Sequence, residues 1–219
     1  MSVSFEEMRT FFLLLCFLFS AFAIKAQPPS LSDSLAWAFS KPASWVGRLQ
    51  SRHSFITGKP VRTFGLKIGR SHADRVSYGI GLHVMDGGIE SPIQAIDTTS
   101  QSRKVRMLYA STYFEYSFFH FNKWRIILPI HLGMGASWHK TINREGKSAI
   151  TDRSLVMMYE PSMAFEYQLM RYIAVGAEVG YRLMLINNSN IPKQFTAPTW
   201  GLRLKISPSR IIDDLKQTN

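Results

Sequence analysis

Residues 122–139 alternate between apolar residues and small, polar or charged ones. Every second residue from Trp124 to Trp138 is apolar, whereas the opposite set includes Arg125 and His131 among glycines and serines. A period of two is that of a β-strand, whose successive side chains point to opposite faces. Strands of globular proteins average about 5–6 residues. The segment therefore predicts an unusually long strand with one bulky apolar face and a tryptophan at each end.

The same alternation recurs along the chain. Large apolar residues fall on one parity, and glycine, serine and charged residues on the other, over residues 61–70, 75–85, 104–119, 154–169, 172–186 and 196–206. An eighth strand is expected from about Gln50 to Thr57, before a turn at residues 57–60. Its alternation is weak, but it makes the strand number even and places both chain ends on one side, as in single-chain bacterial barrels.

The predicted connections differ in length between the two ends of the strands. Short turns are expected around residues 71–74, 120–122 and 170–171, and longer loops over roughly 87–102, 140–152 and 187–195. Short turns at one end and longer loops at the other are typical of an up-and-down transmembrane barrel. We therefore predict an all-β, antiparallel, up-and-down transmembrane β-barrel of about eight strands with a polar, filled lumen.

The width of such a barrel decides which face is outside. An eight-stranded barrel has an interior just wide enough for side chains to fill it. Bulky groups from every strand could not all fit there, so we expect them to face lipid. Residues 124–138 span roughly 46 Å and, tilted, rise roughly 35 Å, enough to cross a ~30 Å hydrocarbon core. Trp124, Trp138 and Trp200 are the predicted lipid-interface aromatics. The alternative is a β-sandwich face that carries these tryptophans by chance.

The N-terminal residues have the pattern of a secretory signal peptide. Met8 and Arg9 precede an apolar stretch from Phe11 to Ala23, and Ala26 offers a small-residue cleavage site. An uncleaved anchor helix is the alternative. Cys16, the single cysteine, lies in this stretch, so the exported chain needs no disulfide and has no thiol site. The predicted organisation is a signal peptide (1–26), a periplasmic segment (27–47), the barrel (48–206) and a periplasmic tail (207–219).

Charged residues concentrate on the parity that faces the lumen. Charges inside a narrow barrel must be paired to offset their desolvation, so we predict a lumenal charge network. Its members are Lys67, Glu115, Arg125, His131, Glu160, Glu166, Glu178, Arg182 and Arg203. His83 and Lys205 share their parity. The alternative is a proton relay or a narrow path for ions or small solutes through the same groups.

The sequence shows no pattern for catalysis or for a bound cofactor. A serine hydrolase needs a serine and a histidine close together with an acid behind them. Ser137 and His139 come nearest in sequence, but both are expected in the lumen near a loop. No metal-ligand spacing or phosphate-binding glycine loop stands out. We therefore predict a non-enzyme without cofactor or metal, and keep a lipid-modifying enzyme as the least favoured alternative.

The signal peptide, the amphipathic strands, the lumenal glycines and the alternating loop lengths together resemble the small outer-membrane β-barrels of the OmpA/OmpX type. The resemblance covers about residues 48–206 and is one of architecture. It implies a monomer in the bacterial outer membrane with a structural or surface-interaction role. Expected partners are membrane lipids, lipopolysaccharide and the insertion machinery, with residues 200–206 as an internal insertion signal. A basic exported chain, with a formal charge of +11, is expected to meet phosphate-bearing lipid and not nucleic acid.

Overall fold

The computed structural model describes residues 30–56, 59–86, 100–143, 148–186 and 195–217. Within these ranges the elements are α1 (Leu31–Phe39), β1 (Ala43–Ile56), β2 (Lys59–His72), β3 (Val76–Asp86), β4 (Ser100–Phe121), β5 (Trp124–Asn143), β6 (Ser148–Met170), β7 (Ile173–Ile186), β8 (Ala197–Ile206) and α2 (Pro208–Gln217). Each strand pairs antiparallel with the next, and β8 pairs with β1. The predicted closed, eight-stranded, up-and-down barrel is confirmed.

Strand β1 is present but begins at Ala43, seven residues before the predicted start at Gln50. It pairs with β2 along its whole length, and with β8 from Gly47↔Ile206 to Ser54↔Thr199. Its outward positions include Gly47 and Ser51, while arginines occupy inward positions. This distribution hides the hydrophobic alternation, so the first residues of the strand fell in the predicted periplasmic segment.

Two ends of the barrel can be distinguished. The short-turn end carries the connections 73–75, 122–123 and 171–172, together with the start of β1 and the end of β8. The long-loop end carries the remaining four connections. The predicted loop over residues 140–152 was wrong, because β5 continues to Asn143 and β6 begins at Ser148. These polar residues pair across the hairpin, which satisfies their backbone hydrogen bonds without a hydrophobic signal in the sequence.

Strands β4, β5 and β6 run past their neighbours at the long-loop end. The β3–β4 pairing stops at Met85↔Met107, and the β6–β7 pairing starts at Met157↔Ile186. Within the described residues, 100–106, 138–143 and 148–156 therefore form a three-stranded sheet that pairs with neither β3 nor β7, and Val105 and Val156 at its base face the lumen. We call this sheet the β4–β6 extension.

The apolar parity faces outward on β2 to β8, as predicted, and the exposed Trp45, Leu49 and Phe55 of β1 also lie on the outer face. Leu202 and Ile80 are 69% and 62% exposed, and similar side chains surround the barrel. Val76 is an exception, since it was expected outside but is fully buried. Phe39 packs on His72, the strand partner of Val76, and on Tyr78. Phe39 therefore packs on the outer wall at the level of the His72–Val76 pair.

The lumen holds an apolar cluster at its long-loop end in addition to its charges. The cluster consists of the inward-facing, buried residues Val61, Met85, Val105, Met107, Tyr109, Val156, Met158 and Phe195, with Met184 packed against them. We call it the apolar lumen cluster. Most of its members lie where β2, β3, β4 and β6 approach the long-loop end. There the inward-facing residues are apolar, whereas those further along the strands are charged.

Two short helices flank the strands in sequence. In α1, the Ser30 hydroxyl accepts a hydrogen bond from the backbone N–H of Asp33 at 3.2 Å, which caps the helix. Helix α2 follows β8 in the segment predicted as a periplasmic tail, and Ser209 Oγ accepts a bond from the Trp45 N–H of β1 at 2.9 Å. No helix of the described ranges is long and apolar enough to cross a bilayer. The predicted signal peptide lies outside the described residues.

Candidate functional site

The structure places all nine predicted members of the charge network inside the barrel, each at most 5% exposed. They come from strands on every side of the wall, because each strand sends alternate side chains inward. Seven buried cations and four buried glutamates lie in the described interior, namely Arg48, Arg52, Lys67, Arg125, Arg182, Arg203, Lys205, Glu115, Glu160, Glu166 and Glu178.

Glu115 lies at the centre of the network. Arg203 Nη2 donates to both of its carboxylate oxygens at 2.9 Å. Arg48 Nη2 lies 2.8 Å from Oε2, and Lys67 Nζ lies 3.3 Å from Oε1. Three cations from β1, β2 and β8 therefore surround one carboxylate of β4. Such charge-assisted contacts offset the loss of hydration that burial imposes on each group.

Arg203 links this centre to two further glutamates. Its Nη1 donates to Glu178 Oε2 at 3.2 Å, and its Nε lies 3.5 Å from Glu166 Oε2. Glu178 also accepts bonds from Gln50 Nε2 at 2.6 Å and from Ser162 Oγ at 2.9 Å. The guanidinium therefore has carboxylates on several sides and fixes the position of β8 relative to β4 and β7.

A second group lies between the centre and the apolar lumen cluster. Glu160 accepts bonds from Arg182 Nε at 2.5 Å and from Arg52 Nη1 at 2.7 Å. Arg52 also donates to the Tyr109 hydroxyl at 2.9 Å. The Tyr109 ring stacks on the His83 imidazole with centroids 4.7 Å apart. Tyr109 thus joins the charge network to the apolar lumen cluster, of which it is also a member.

His131 lies beside the central carboxylate. Its Nε2 is 2.9 Å from Lys67 Nζ, and the ammonium of Lys67 also lies 5.0 Å from the centroid of the Tyr113 ring. Because Lys67 can only donate, the contact requires Nε2 of His131 to accept. The imidazole therefore serves as a neutral acceptor in this arrangement.

A third group lies at the short-turn end. Asp74, in the turn between β2 and β3, accepts a bond from Lys205 Nζ at 2.7 Å, lies 3.3 Å from Arg125 Nη1, and accepts a bond from Arg210. Burial alone raises the pKa of the Asp74 carboxyl, but the three cations outweigh this effect and hold its pKa far below the usual range. Arg125 also donates to Glu166 of the neighbouring strand.

The sequence did not point to four contributors to the network. Arg48, Gln50 and Arg52 belong to β1, whose inward parity could be assigned only after its pairing with β2 and β8 was known. Asp74 lies in a turn, where the strand parity gives no direction. The presence of two arginines and a glutamine at every second position of β1 was the available signal.

Glycines make room for the larger lumenal side chains. A Cβ on Gly65 would lie 2.3 Å from Nδ1 of His83, which is directly opposite on β3. A Cβ on Gly81 would lie 2.7 Å from Cγ of Lys67. The glycines that the sequence places on the lumenal parity therefore allow the long charged side chains to cross the interior.

This arrangement is suited to a fixed ionic core. Every glutamate of the network contacts at least one cation, and solvent reaches none of them appreciably. Ser137, which the sequence places closest to a histidine, is buried in the lumen. The side chain of that histidine, His139, lies outside the described residues. Within the described ranges, no three His, Cys, Asp or Glu side chains are grouped so as to hold a metal ion.

The three predicted interface tryptophans lie on the outer wall at different heights. Trp124 is 54% exposed at the short-turn end and packs on Tyr167 with ring centroids 4.7 Å apart. Trp200 lies in the half nearer the long loops, 5.0 Å from the ring of Phe55. Trp138 is half-buried and belongs to the β4–β6 extension. Contact of these rings with lipid headgroups stays a prediction.

No protein-family profile matches the sequence, and no curated protein matches it either. Solved structures do resemble the fold. Neisserial surface protein A superposes with a TM-score of 0.52 at 9% identity, covering 76% of this chain and 99% of that one. The N-terminal β-barrel domain of Pseudomonas aeruginosa OprF gives 0.47 at 12% identity, covering 76% and 97%. Ail, the attachment invasion locus protein of Yersinia pestis, gives 0.43 at 15%, covering 75% and 96%. At these identities the likeness shows the fold alone, which is that of small outer-membrane barrels.

Proposed function

We propose that the protein is a monomeric, non-catalytic and non-conducting barrel of the bacterial outer membrane that acts in surface interaction through its β4–β6 extension. The observation that carries the proposal is the extension itself. Among the described residues, its strands pair with one another but with neither β3 nor β7. Seven residues of β4 beyond the last β3 pair would reach roughly 20 Å along the strand direction.

The outer wall supports the membrane assignment. Its large apolar side chains form a continuous belt around all eight strands. Monomeric soluble proteins rarely expose contiguous apolar patches beyond a few hundred Å². A belt of this kind is stable where lipid tails cover it. Because β8 pairs with β1, the barrel wall has no strand edge with free backbone groups to which a second chain could bind. This closure favours a monomer.

The contents of the lumen argue against a channel. The apolar lumen cluster lies near the long-loop end, and its residues are at most 2% exposed apart from Met184. Below it, ion pairs link facing strands across the interior. An ion would have to break these pairs and pass an apolar layer. We therefore favour a filled, non-conducting barrel over a narrow path for ions or small solutes through the lumen.

The charge of the extension indicates the chemistry of its partner. Its strands contain Arg103, Lys104, Arg106, Lys140 and Arg153 against a single acidic residue, Asp152. The side chains of Arg106 and Arg153 are exposed. A basic surface attracts anions over about a Debye length, ~8 Å at physiological ionic strength. Lipopolysaccharide phosphates are the anionic groups expected at that height.

Fractionation and electrophoresis test the location. We expect the protein in the outer-membrane fraction, and a folded band that changes its migration on boiling. Recovery as a soluble periplasmic protein would overturn the proposal. Planar-bilayer recording with the refolded protein should show no steady conductance, and regular single-channel steps would favour the alternative path through the lumen.

The surface role is tested by binding of purified lipopolysaccharide to the refolded protein. The double variant Arg106→Gln/Arg153→Gln should bind more weakly and with a smaller dependence on salt. The control Arg70→Gln/Arg75→Gln removes the same charge at the short-turn end and should bind like the parent. Equal losses in both variants would show that net charge, and not the extension, determines binding.

A further inference from the structure

A groove of about 760 Å³ crosses the outer wall of the barrel near the middle of the strands. Its outward-facing lining comes from β7, β8, β1, β2 and β3 and is mainly aliphatic and aromatic, with Leu49, Phe64, Leu66, Leu82, Val175 and Leu202 among its members. Ser51 of β1 also lines it, between its larger strand partners Phe64 and Leu202. The small side chain at this position leaves the wall lower than on either side. We call this depression the wall groove.

Arg62 lies at the edge of the wall groove that is nearer the long loops. It is exposed on the outer face of β2, two residues before Phe64. Its guanidinium carbon lies 4.2 Å from the centroid of the Phe64 ring, and its Nε donates to Ser51 Oγ at 3.0 Å. Both contacts are made to residues that line the groove, so the guanidinium is held at the rim.

A positive charge at this place on the wall needs an anionic partner. Charged side chains on the lipid-facing wall of a membrane barrel are costly, and the cost falls where they reach the headgroups. Asp86 stands opposite Arg62 in the β2–β3 register, and its side chain lies outside the described residues. The end of β2 that carries Arg62 leads to the long loops. In the proposed orientation these loops face the exterior, where the leaflet presents the phosphates of lipopolysaccharide.

We propose that the wall groove binds one acyl chain of lipid A, the membrane anchor of lipopolysaccharide, while Arg62 contacts one of its phosphates. Lipid tails of any kind can fill an apolar groove, so the guanidinium at its rim supplies the selectivity. Arginine presents a fork of donors that matches phosphate oxygens. The volume of the groove lies within the range of about 300–1,000 Å³ that is usual for small-molecule sites. The inference rests on the proposed outer-membrane location, but the site is separate from the β4–β6 extension.

Two substitutions change the wall groove in different ways. Ser51→Leu fills it, and Arg62→Gln removes the charge at its rim. Ala136→Leu is the control for the first, because it adds the same side chain to the outer face of β5, away from the groove. Arg70→Gln is the control for the second, because Arg70 is also an exposed arginine of β2 stacked on an aromatic ring, that of Trp45 at 5.3 Å. Heat-modifiable migration checks that each refolded variant is folded.

The refolded full chain is titrated in detergent, and bound copies are counted by native mass spectrometry. The probes are purified lipid A, its deacylated but still phosphorylated sugar backbone, and phosphatidylglycerol. We expect Ser51→Leu and Arg62→Gln each to weaken the binding of lipid A about tenfold or more, since one loses buried chain and the other a charge-assisted contact. Both controls should bind like the parent. The deacylated probe should bind equally to the parent and to Ser51→Leu, because it has no chain to place in the groove.

Equal binding of lipid A to the parent and to Arg62→Gln would overturn the proposal, and this is the result expected if Asp86 already neutralises the guanidinium. A loss in either control as large as in its matched groove variant would also overturn it, because general hydrophobicity or charge would then explain the affinity. Tighter binding of phosphatidylglycerol than of lipid A would exclude lipid A as the occupant. The proposed function fails separately, in the fractionation experiment or in the lipopolysaccharide binding of the variant of the β4–β6 extension.

Discussion

Arg203 of β8 and Glu115 of β4 form a bidentate ion pair across the interior of the barrel, with both contacts at 2.9 Å. The two strands are four positions apart in the closed ring of eight, so they lie on opposite sides of the wall. The pair therefore connects strands that share no backbone hydrogen bonds. It contributes to the relative position of the two halves of the barrel.

Replacement of Glu115 by Gln should destabilise the protein strongly. The substitution leaves Arg48, Lys67 and Arg203 buried without their shared carboxylate. Removal of one partner of a buried pair typically costs about 3–5 kcal/mol. Urea unfolding in lipid, followed by the heat-modifiable band, measures the change. Asp33→Asn, at an exposed acid in α1, should leave the midpoint nearly unchanged, and an equal shift in both variants would contradict the central role of Glu115.

Replacement of Gly69 by Ala should be far more disruptive than the same change at Gly47. A Cβ on Gly69 would lie 2.1 Å from the backbone oxygen of Tyr78, whereas one on Gly47 meets nothing within 4 Å. Forcing a methyl group into a filled space typically costs about 1–3 kcal/mol. The refolding yield and the urea midpoint should fall for Gly69→Ala only. Similar values for both variants would show that the wall near Tyr78 relaxes easily.

The apolar lumen cluster should behave as a hydrophobic core. Met107 is fully buried there, so Met107→Ala should cost about 2–5 kcal/mol through lost contacts and a residual cavity. Met163 faces outward and is 38% exposed, so Met163→Ala should change the free energy of unfolding much less. The two midpoints in the same lipid provide the comparison. A larger loss at Met163 would mean that packing against lipid outweighs packing in the lumen.

Stability at the short-turn end should depend on acid pH through Asp74. Its pKa is depressed in the folded protein, so its contribution is fully present above the unfolded value of about 3.9 and declines as the pH falls towards the folded value. Asp74→Asn keeps a residue that accepts the positive φ of this turn. The variant should be less stable than the parent at pH 7, and the difference should shrink below about pH 4. A difference that stays constant from pH 7 to pH 3 would exclude this linkage.

The interface tryptophans can be located by depth-dependent quenching with brominated lipids. Trp124 should be quenched most by bromines near the headgroups of the short-turn side, since it lies at that end of β5. Trp200 should respond to shallow bromines of the opposite leaflet. Variants that retain one tryptophan at a time separate the signals. Strong quenching of either ring at the bilayer centre would contradict the predicted height of the barrel.

The sequence predicted the strands well wherever the two faces differ in character. In β5 and β7 bulky apolar residues alternate with glycine and charged residues. The odd or even position of a residue was therefore enough to predict whether its side chain faces outward or into the lumen. This prediction failed for β1, where Gly47 and Ser51 face outward, because small residues carry little hydrophobic signal. It also failed for the β4–β6 extension, where hairpin pairing, and not burial of an apolar face, holds polar residues in strands.

The charge network was predictable in its members but not in its partners. Parity placed Glu115 and Arg203 in the lumen, yet their pairing depends on the strand order and the shear of the closed barrel, which local sequence does not encode. The apolar lumen cluster was not predicted, because Met107 and Val156 occupy inward-facing positions of strands whose other inward-facing residues are mostly polar.

The closure of β8 onto β1 has a consequence for the order of assembly. Strand β8 is the last to be synthesised, and it brings Arg203 and Lys205 to the acids of earlier strands. A chain that ends before it would leave the edges of β1 and β7 open and would leave Glu178 and Asp74 short of cations. The step that completes the ring of backbone hydrogen bonds therefore also balances the charges inside. Partly closed forms carry both defects together, so the pairing of the strand edges and the pairing of these charges belong to the same step.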